Sequence, residues 1–256
     1  MIPQILTIAR FTLIESLRNR LLLLCFLLAA ISFVMIEFIG ELTITEHRVT
    51  QIAILAAFLR ISAVVLVTLF VVSSMVRELH DKTLEMVLAM PIHRGSYYLG
   101  KLAGFLGIAL VVCLVFSGVL LLYAEAGALL VWSVSLFLEL ILVVALSLVM
   151  LLSFSQVPAA LTAVFVFYGA ARLISSLFLM SKAPIMAYTG PGQAFMDRFI
   201  ALLAWLLPDL QRFTRTEWLS YNTASWDALL PVAGQTVVYL SLLSFIALFD
   251  FYRKNF

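Results

Sequence analysis

Charge is scarce in this sequence. Only 12% of its 256 residues are Asp, Glu, Lys or Arg, whereas 64% are hydrophobic. Soluble domains contain about 25% charged and about 45–50% apolar residues, so this composition excludes a soluble protein. The formal net charge of +2 is too small to favour nucleic acid as a partner. The composition therefore predicts an integral membrane protein.

Residues that hold metals or perform nucleophilic chemistry are also rare. The two cysteines, Cys25 and Cys113, lie inside apolar runs, where packing is the expected role. The three histidines, His47, His80 and His93, lie outside the apolar runs that could span a membrane and show no metal-ligand spacing. With no nucleophile motif, metal site or cofactor site to support catalysis, we predict that the chain is not an enzyme.

The hydrophobic residues gather in six runs, each long enough to cross a hydrocarbon core of about 30 Å as a helix. Helices are required because lipid offers no partners to backbone polar groups. We predict an all-α membrane protein with one domain over residues 1–256. The predicted spans are residues 21–39, 52–76, 102–123, 130–154, 158–180 and 229–249.

An amphipathic segment precedes the first span. In residues 1–20, apolar side chains such as Ile5 and Leu13 are interspersed with charged ones such as Arg10 and Arg18. This pattern predicts an elbow helix that lies at the membrane interface. Lys and Arg residues near the span ends are more numerous on the side that carries both termini. By the positive-inside rule, we predict that both termini are cytoplasmic.

The connection between the fifth and sixth spans, residues 181–228, is long. It begins with a helix breaker, the Gly-Pro-Gly of residues 190–192, which is followed by the apolar run Phe199–Leu207 and by Pro208. This run is too short to cross a bilayer. We therefore predict a re-entrant or interfacial helix before the last span.

Four charged residues fall within the predicted spans: Glu37, Arg60, Glu139 and Arg172. A charge at mid-bilayer costs roughly 3 kcal/mol on insertion scales, so each is expected to be buried in the bundle with a partner. At about 1.5 Å per residue, Arg60, Glu139 and Arg172 come to similar depths. The antiparallel fourth and fifth spans make Glu139 and Arg172 the expected pair. Two roles stay open, a structural ion pair and a polar contact for substrate.

A near match to a phosphate-binding loop lies before the third span. The stretch from Gly95 to Lys101 has the glycine–lysine spacing of that loop, but Leu102 replaces the hydroxyl residue that holds magnesium. We interpret the glycines at positions 100, 104 and 107 as a face for close helix packing. Lys101 is expected to extend to the membrane surface. The chain itself is not expected to hydrolyse ATP.

The largest polar segment on the predicted cytoplasmic side is residues 77–101. Within it, Asp81 can cap a short helix that Pro91 ends. Its apolar side chains, among them Leu84 and Val87, have no core of their own in which to pack. From the residues alone, the helix is equally suited to docking a partner protein and to resting on lipid headgroups.

The same segment carries a motif. It resembles the cytoplasmic loop of type-2 ABC transporter permeases, in which Glu-x-x-x-Gly-Thr-Leu-Glu is followed by Pro-Ile-Ser-Arg and by Leu-Gly-Lys at the third span. Lys82 and His93 depart from this pattern. Residues 206–213, "LLPDLQRF", resemble a motif of the branch that includes permeases linked to copper-enzyme maturation. The matching loop residues are Glu78, Thr83, Leu84, Glu85, Pro91, Ile92, Arg94, Leu99, Gly100 and Lys101.

The resemblance implies a multi-pass permease of an ABC exporter in the cytoplasmic (inner) membrane of a bacterium. Two permease chains, identical or related, would form the pathway within the membrane lipid. Two copies of a separate ATPase subunit would bind ATP and Mg and dock on the coupling helix, residues 82–91. The expected docking residues are Thr83, Leu84, Glu85, Met86, Val87, Leu88, Met90, Pro91 and Arg94, with Leu84, Glu85 and Val87 at the centre.

One alternative function is a stand-alone secondary transporter or channel that is not coupled to ATP. Such proteins often show inverted repeats and broken helices near the middle of the membrane. The sequence shows neither feature clearly, so the ATP-coupled permease is the favoured interpretation. The transported substrate has no signature in the sequence.

Overall fold

The computed structural model describes residues 2–18, 21–42, 47–81, 93–154, 156–182, 191–215, 217–220 and 225–253. Within these ranges the chain forms helices joined by short turns, and no strand is present. The predicted all-α class is confirmed.

Helices α1 to α9 and two 3-10 helices make up the described chain. Six of the helices, α2 to α6 and α9, are long and apolar enough to cross a membrane, which confirms the predicted number of spans. The elements in chain order are α1 (Ile2–Arg18), α2 (Leu21–Leu42), α3 (His47–His80), α4 (Arg94–Leu120), α5 (Ala126–Phe154), α6 (Val157–Lys182), α7 (Pro191–Leu206), a 3-10 helix (Leu210–Phe213), α8 (Glu217–Ser220), a second 3-10 helix (Trp226–Ala228) and α9 (Leu229–Arg253).

Two spans extend furthest beyond their predicted ends. Helix α3 runs from His47 to His80 and α4 already begins at Arg94. Hydropathy marks only the apolar part of a helix, whereas the polar turns at its ends can continue the same hydrogen-bonded ladder. The predicted loop of residues 77–101 is therefore helical at both ends. Its centre, residues 82–92, lies outside the described residues.

Helix α5 is the central helix of the bundle. It packs against α3, α4, α6 and α9, and 72% of its apolar window is buried, compared with 17% for α2 and for α6. Its sequence is apolar on every side, as expected for a helix surrounded by other helices. The polar side chains of Ser135, Glu139 and Ser147 on α5 are accordingly buried among other helices.

Helix α1 packs along the glycine face of α4. A Cβ added at Gly100 would lie 2.8 Å from Ile8 Cβ, and one added at Gly104 would lie 2.7 Å from Thr12 Cβ. Both distances are too short for non-bonded carbon atoms, so the glycines allow a close approach of the two helices. The predicted packing role of these glycines is confirmed. That α1 lies at the membrane interface stays a prediction.

Part of the long connection before α9 packs inside the bundle. Helix α7 begins at Pro191, because proline needs no hydrogen-bond acceptor in the first turn of a helix. Most described side chains of α7 are exposed, whereas Leu207, Leu210 and Phe213 are buried. The part that enters the bundle is thus residues 207–213, which follow the predicted apolar run. We call these residues the inserted segment.

Candidate functional site

Three of the four predicted intramembrane charges meet in one buried cluster. Arg60 of α3 contacts Glu139 of α5, with 2.6 Å between Nη1 and Oε2, and Arg172 of α6 lies 3.6 Å from the other carboxylate oxygen. Arg60 is 2% exposed and Glu139 is fully buried. The closer partner of Glu139 is therefore Arg60, not Arg172 as the sequence suggested. Counting residues gives a depth but not the direction in which a side chain points.

Tyr168 joins the two charged residues on the α6 side of the cluster. Its hydroxyl donates to Glu139 Oε1 at 2.7 Å and accepts from Arg172 Nη1 at 2.7 Å. Tyr168 and Arg172 are four residues apart, so they lie on the same helix face. The sequence interpretation missed Tyr168, although this spacing was a signal that could have identified it.

The inserted segment is hydrogen-bonded to the same cluster. The backbone carbonyl of Phe213 accepts from Arg60 Nη1 at 2.9 Å and also from the Ser135 hydroxyl. The Arg60 guanidinium lies 5.1 Å from the centre of the Trp132 ring, a distance suited to a cation–π contact. The cluster therefore joins α3, α5, α6 and the inserted segment.

The charges of the cluster do not cancel. Two guanidinium groups face one carboxylate, and Arg60 Nη2 is buried without a hydrogen-bond partner among the described residues. The Arg172 side chain is 28% exposed. One turn further along α6, a cavity of about 520 Å³ opens between α6 and the inserted segment with the residues that follow it. This arrangement can hold the bundle together, and it can present one positive charge to an anionic group.

Glu37 lies apart from the cluster. Its carboxylate is exposed and accepts a hydrogen bond of 3.0 Å from the Tyr123 hydroxyl. Burial of Tyr123, together with the hydrogen bond to Glu37 and its negative charge, raises the pKa of Tyr123 to about 12. Glu37 thus contacts a neutral hydroxyl, whereas the other three intramembrane charges contact one another.

A second buried cluster lies next to the predicted docking loop. Glu78, near the end of α3, accepts from the Lys101 ammonium of α4 and from the Tyr97 hydroxyl, the latter at 2.8 Å. Lys101 is 7% exposed. The prediction that Lys101 extends to the membrane surface is wrong, because the buried carboxylate of Glu78 offers it a partner inside the bundle.

Arg94 is the described member of the predicted docking set. Its Nη1 donates to the carbonyl of Phe251 at 2.9 Å and to that of Tyr252 at 3.4 Å, near the end of α9. A cation here satisfies carbonyls that have no partner within the helix and complements its dipole. The other predicted docking residues, Thr83, Leu84, Glu85, Met86, Val87, Leu88, Met90 and Pro91, lie outside the described residues.

Neither cluster has the composition of a metal site. Among the residues that the structure describes, no group of three or more His, Cys, Asp or Glu side chains could hold a metal ion.

Comparison with known proteins assigns most of the chain to a protein family. A family model described as "ABC-2 family transporter protein" matches residues 41–249. The matched range contains both charge clusters and the inserted segment. No curated protein matches the chain.

Proposed function

The chain belongs to the ABC-2 transporter family, and from this we propose that it is the permease subunit of an ABC exporter. Membership and the six spans make it a multi-pass membrane protein and a transporter permease. Permeases of this family are not ATPases, so ATP and Mg would be bound by separate ATPase subunits, two copies per transporter. The cytoplasmic membrane of a bacterium is the proposed location.

The ATPase would dock on residues 82–91. This proposal rests on the contacts that attach both ends of that loop to neighbouring spans. Glu78 holds α3 to α4 through Lys101 and Tyr97, and Arg94 holds the start of α4 to the end of α9. A displacement of the loop would therefore reach three spans together instead of bending one helix end.

A transport pathway would require two permease chains, either identical or related. We also place the chain in the branch linked to copper-enzyme maturation, on the resemblance of residues 206–213. In the structure these residues include the inserted segment, of which Leu207, Leu210 and Phe213 are buried.

For the cluster around Glu139 we favour a structural role over substrate contact. Both carboxylate oxygens are occupied by groups of the protein itself. A substrate would have to displace one of these buried partners to reach Glu139. Arg172 is the member that remains partly accessible.

Docking is tested with the double substitution Leu84→Asp and Val87→Asp in the full chain, expressed with its candidate ATPase. Two buried charges at a protein interface are strongly unfavourable, so the ATPase should no longer co-purify and ATP-dependent transport should be lost. Ala126→Asp with Ser225→Asp is the matched control, because both side chains are exposed near the opposite end of the bundle.

The alternative of a stand-alone transporter gives a different result. In that case no ATPase would co-purify with the unmodified chain, and transport into vesicles would continue after ATP depletion. Full recovery of the ATPase by the Leu84→Asp/Val87→Asp variant, with transport intact, would also contradict docking at this loop.

A further inference from the structure

An apolar groove of about 480 Å³ runs between α2 and α3 on the outside of the bundle. Its walls are almost entirely aliphatic and aromatic. On the α3 side it extends from Ile61 to Ser73, about 18 Å at the helical rise. One leaflet of the hydrocarbon core is about 15 Å thick. The groove is therefore as long as the acyl layer of a single leaflet. Its lining includes Leu21, Leu24, Leu28, Ile61, Val65 and Phe70.

A charged pocket of about 610 Å³ lies at one end of this groove. It is lined by Phe11, Ile14, Glu15 and Arg18 of α1 and by Arg77 of α3. Arg77 contacts Glu15 at 2.7 Å, and both side chains are about half exposed. Two guanidinium groups and one carboxylate leave the pocket with one positive charge in excess.

The groove and the pocket lie next to each other. Ser73 lines the groove and Arg77 lines the pocket, and these residues lie one turn apart on the same face of α3. On the other wall, Leu21 of the groove follows Arg18 of the pocket by three positions. An elongated apolar slot thus ends at a cationic pocket, at the end of the bundle where α1 and α2 meet.

We propose that the groove and the pocket together bind one anionic phospholipid of the bilayer. An acyl chain occupies the groove between α2 and α3, and the phosphate lies between Arg18 and Arg77. Basic residues at the cytoplasmic ends of spans attract anionic lipid headgroups, and the predicted orientation places this pocket in the cytoplasmic leaflet. All lining residues of this site belong to this chain, so the isolated permease would bind the lipid without the ATPase.

The test is lipid retention by the full chain in detergent, measured by native mass spectrometry. The chain is titrated with phosphatidylglycerol or phosphatidylcholine that carry the same acyl chains. One excess positive charge near the surface corresponds to about a fivefold preference. Phosphatidylglycerol should therefore be retained at about fivefold lower concentration.

Arg18→Gln tests the headgroup pocket. This substitution leaves the pocket neutral, so the preference for phosphatidylglycerol should disappear while phosphatidylcholine binding is unchanged. Arg10→Gln is the matched control, since Arg10 is an exposed arginine on the same helix that does not line the pocket. Equal retention of the two lipids by the unmodified chain, or an unchanged preference in Arg18→Gln, would overturn the proposal.

Val65→Phe tests the groove. The larger ring fills the slot, so retention of both lipids should fall, whereas Val166→Phe, on an exposed surface of α6, should leave it unchanged. Two results would indicate a different ligand and would contradict phospholipid binding at this site. Displacement of phosphatidylglycerol by inorganic phosphate, with normal retention in Val65→Phe, would indicate a free anion. Conversion of a dimer to a monomer by Val65→Phe, with lipid retention intact, would indicate a second copy of the chain.

Discussion

Replacing Glu139 by glutamine should destabilise the bundle far more than the same change at Glu37, the other carboxylate within the predicted spans. Glutamine keeps the shape of the side chain but leaves Arg60 and Arg172 without the carboxylate that they share. Removing one partner of a buried ion pair costs about 3–5 kcal/mol. The upper part of this range applies here, because two buried or partly buried cations lose their counter-charge at once.

The assay is thermal unfolding of the purified chain in detergent, followed by circular dichroism. For a chain of this size, about 1 kcal/mol shifts the midpoint by about 2–4 °C, so Glu139→Gln should lower it by about 10 °C or more. Glu37→Gln is the control, because its carboxylate is exposed and has no cation partner among the described residues. It should cost less than about 1 kcal/mol.

A double substitution separates the structural role from substrate contact. In Arg60→Gln with Glu139→Gln, two neutral side chains can bond to each other, so the loss of stability should be smaller than the sum of the two single losses. If the pair is structural, the double variant should also transport normally at a temperature where it is folded. A stability of Glu139→Gln equal to that of Glu37→Gln would refute the reasoning.

Three further predictions use the same unfolding assay. Gly104→Ala should cost about 1–3 kcal/mol, because the added methyl group has no space beside α1, whereas Gly118→Ala, in open space on the same helix, should be neutral or stabilising by up to about 1 kcal/mol. Lys101→Met should cost about 3–5 kcal/mol by leaving a buried carboxylate without its counter-charge, whereas Arg212→Met, which removes a mostly exposed arginine, should cost less than about 1 kcal/mol. Ser135→Ala removes one of the two side-chain donors to the Phe213 carbonyl and should cost about 1 kcal/mol, and hydrogen exchange should become faster in the inserted segment.

The features that follow from length and periodicity were predictable from the sequence. Six apolar runs of this length can cross lipid only as helices, and the structure has the six corresponding helices. The glycines of α4 were also informative, because small residues on one face indicate close packing. What they did not show was the partner helix, which is α1.

The charge clusters were predictable only in part. Arg60, Glu139 and Arg172 stand out because charges are rare in apolar runs, but their pairing depends on helix rotation, which counting residues does not give. Lys101 was misjudged because its partner, Glu78, lies beyond a loop and on another helix. The spacing of Tyr168 and Arg172 places both on one helix face, but the contact of the Tyr168 hydroxyl with Glu139 is visible only in the structure.

The inserted segment is anchored to the spans by an atom that every amino acid possesses. The oxygen at position 213 belongs to the main chain, so changing the residue there alters packing but never removes the acceptor, whereas the donors on the spans are specific side chains. This contact therefore tolerates a change of side chain at position 213, but it does not tolerate loss of the donors Arg60 and Ser135.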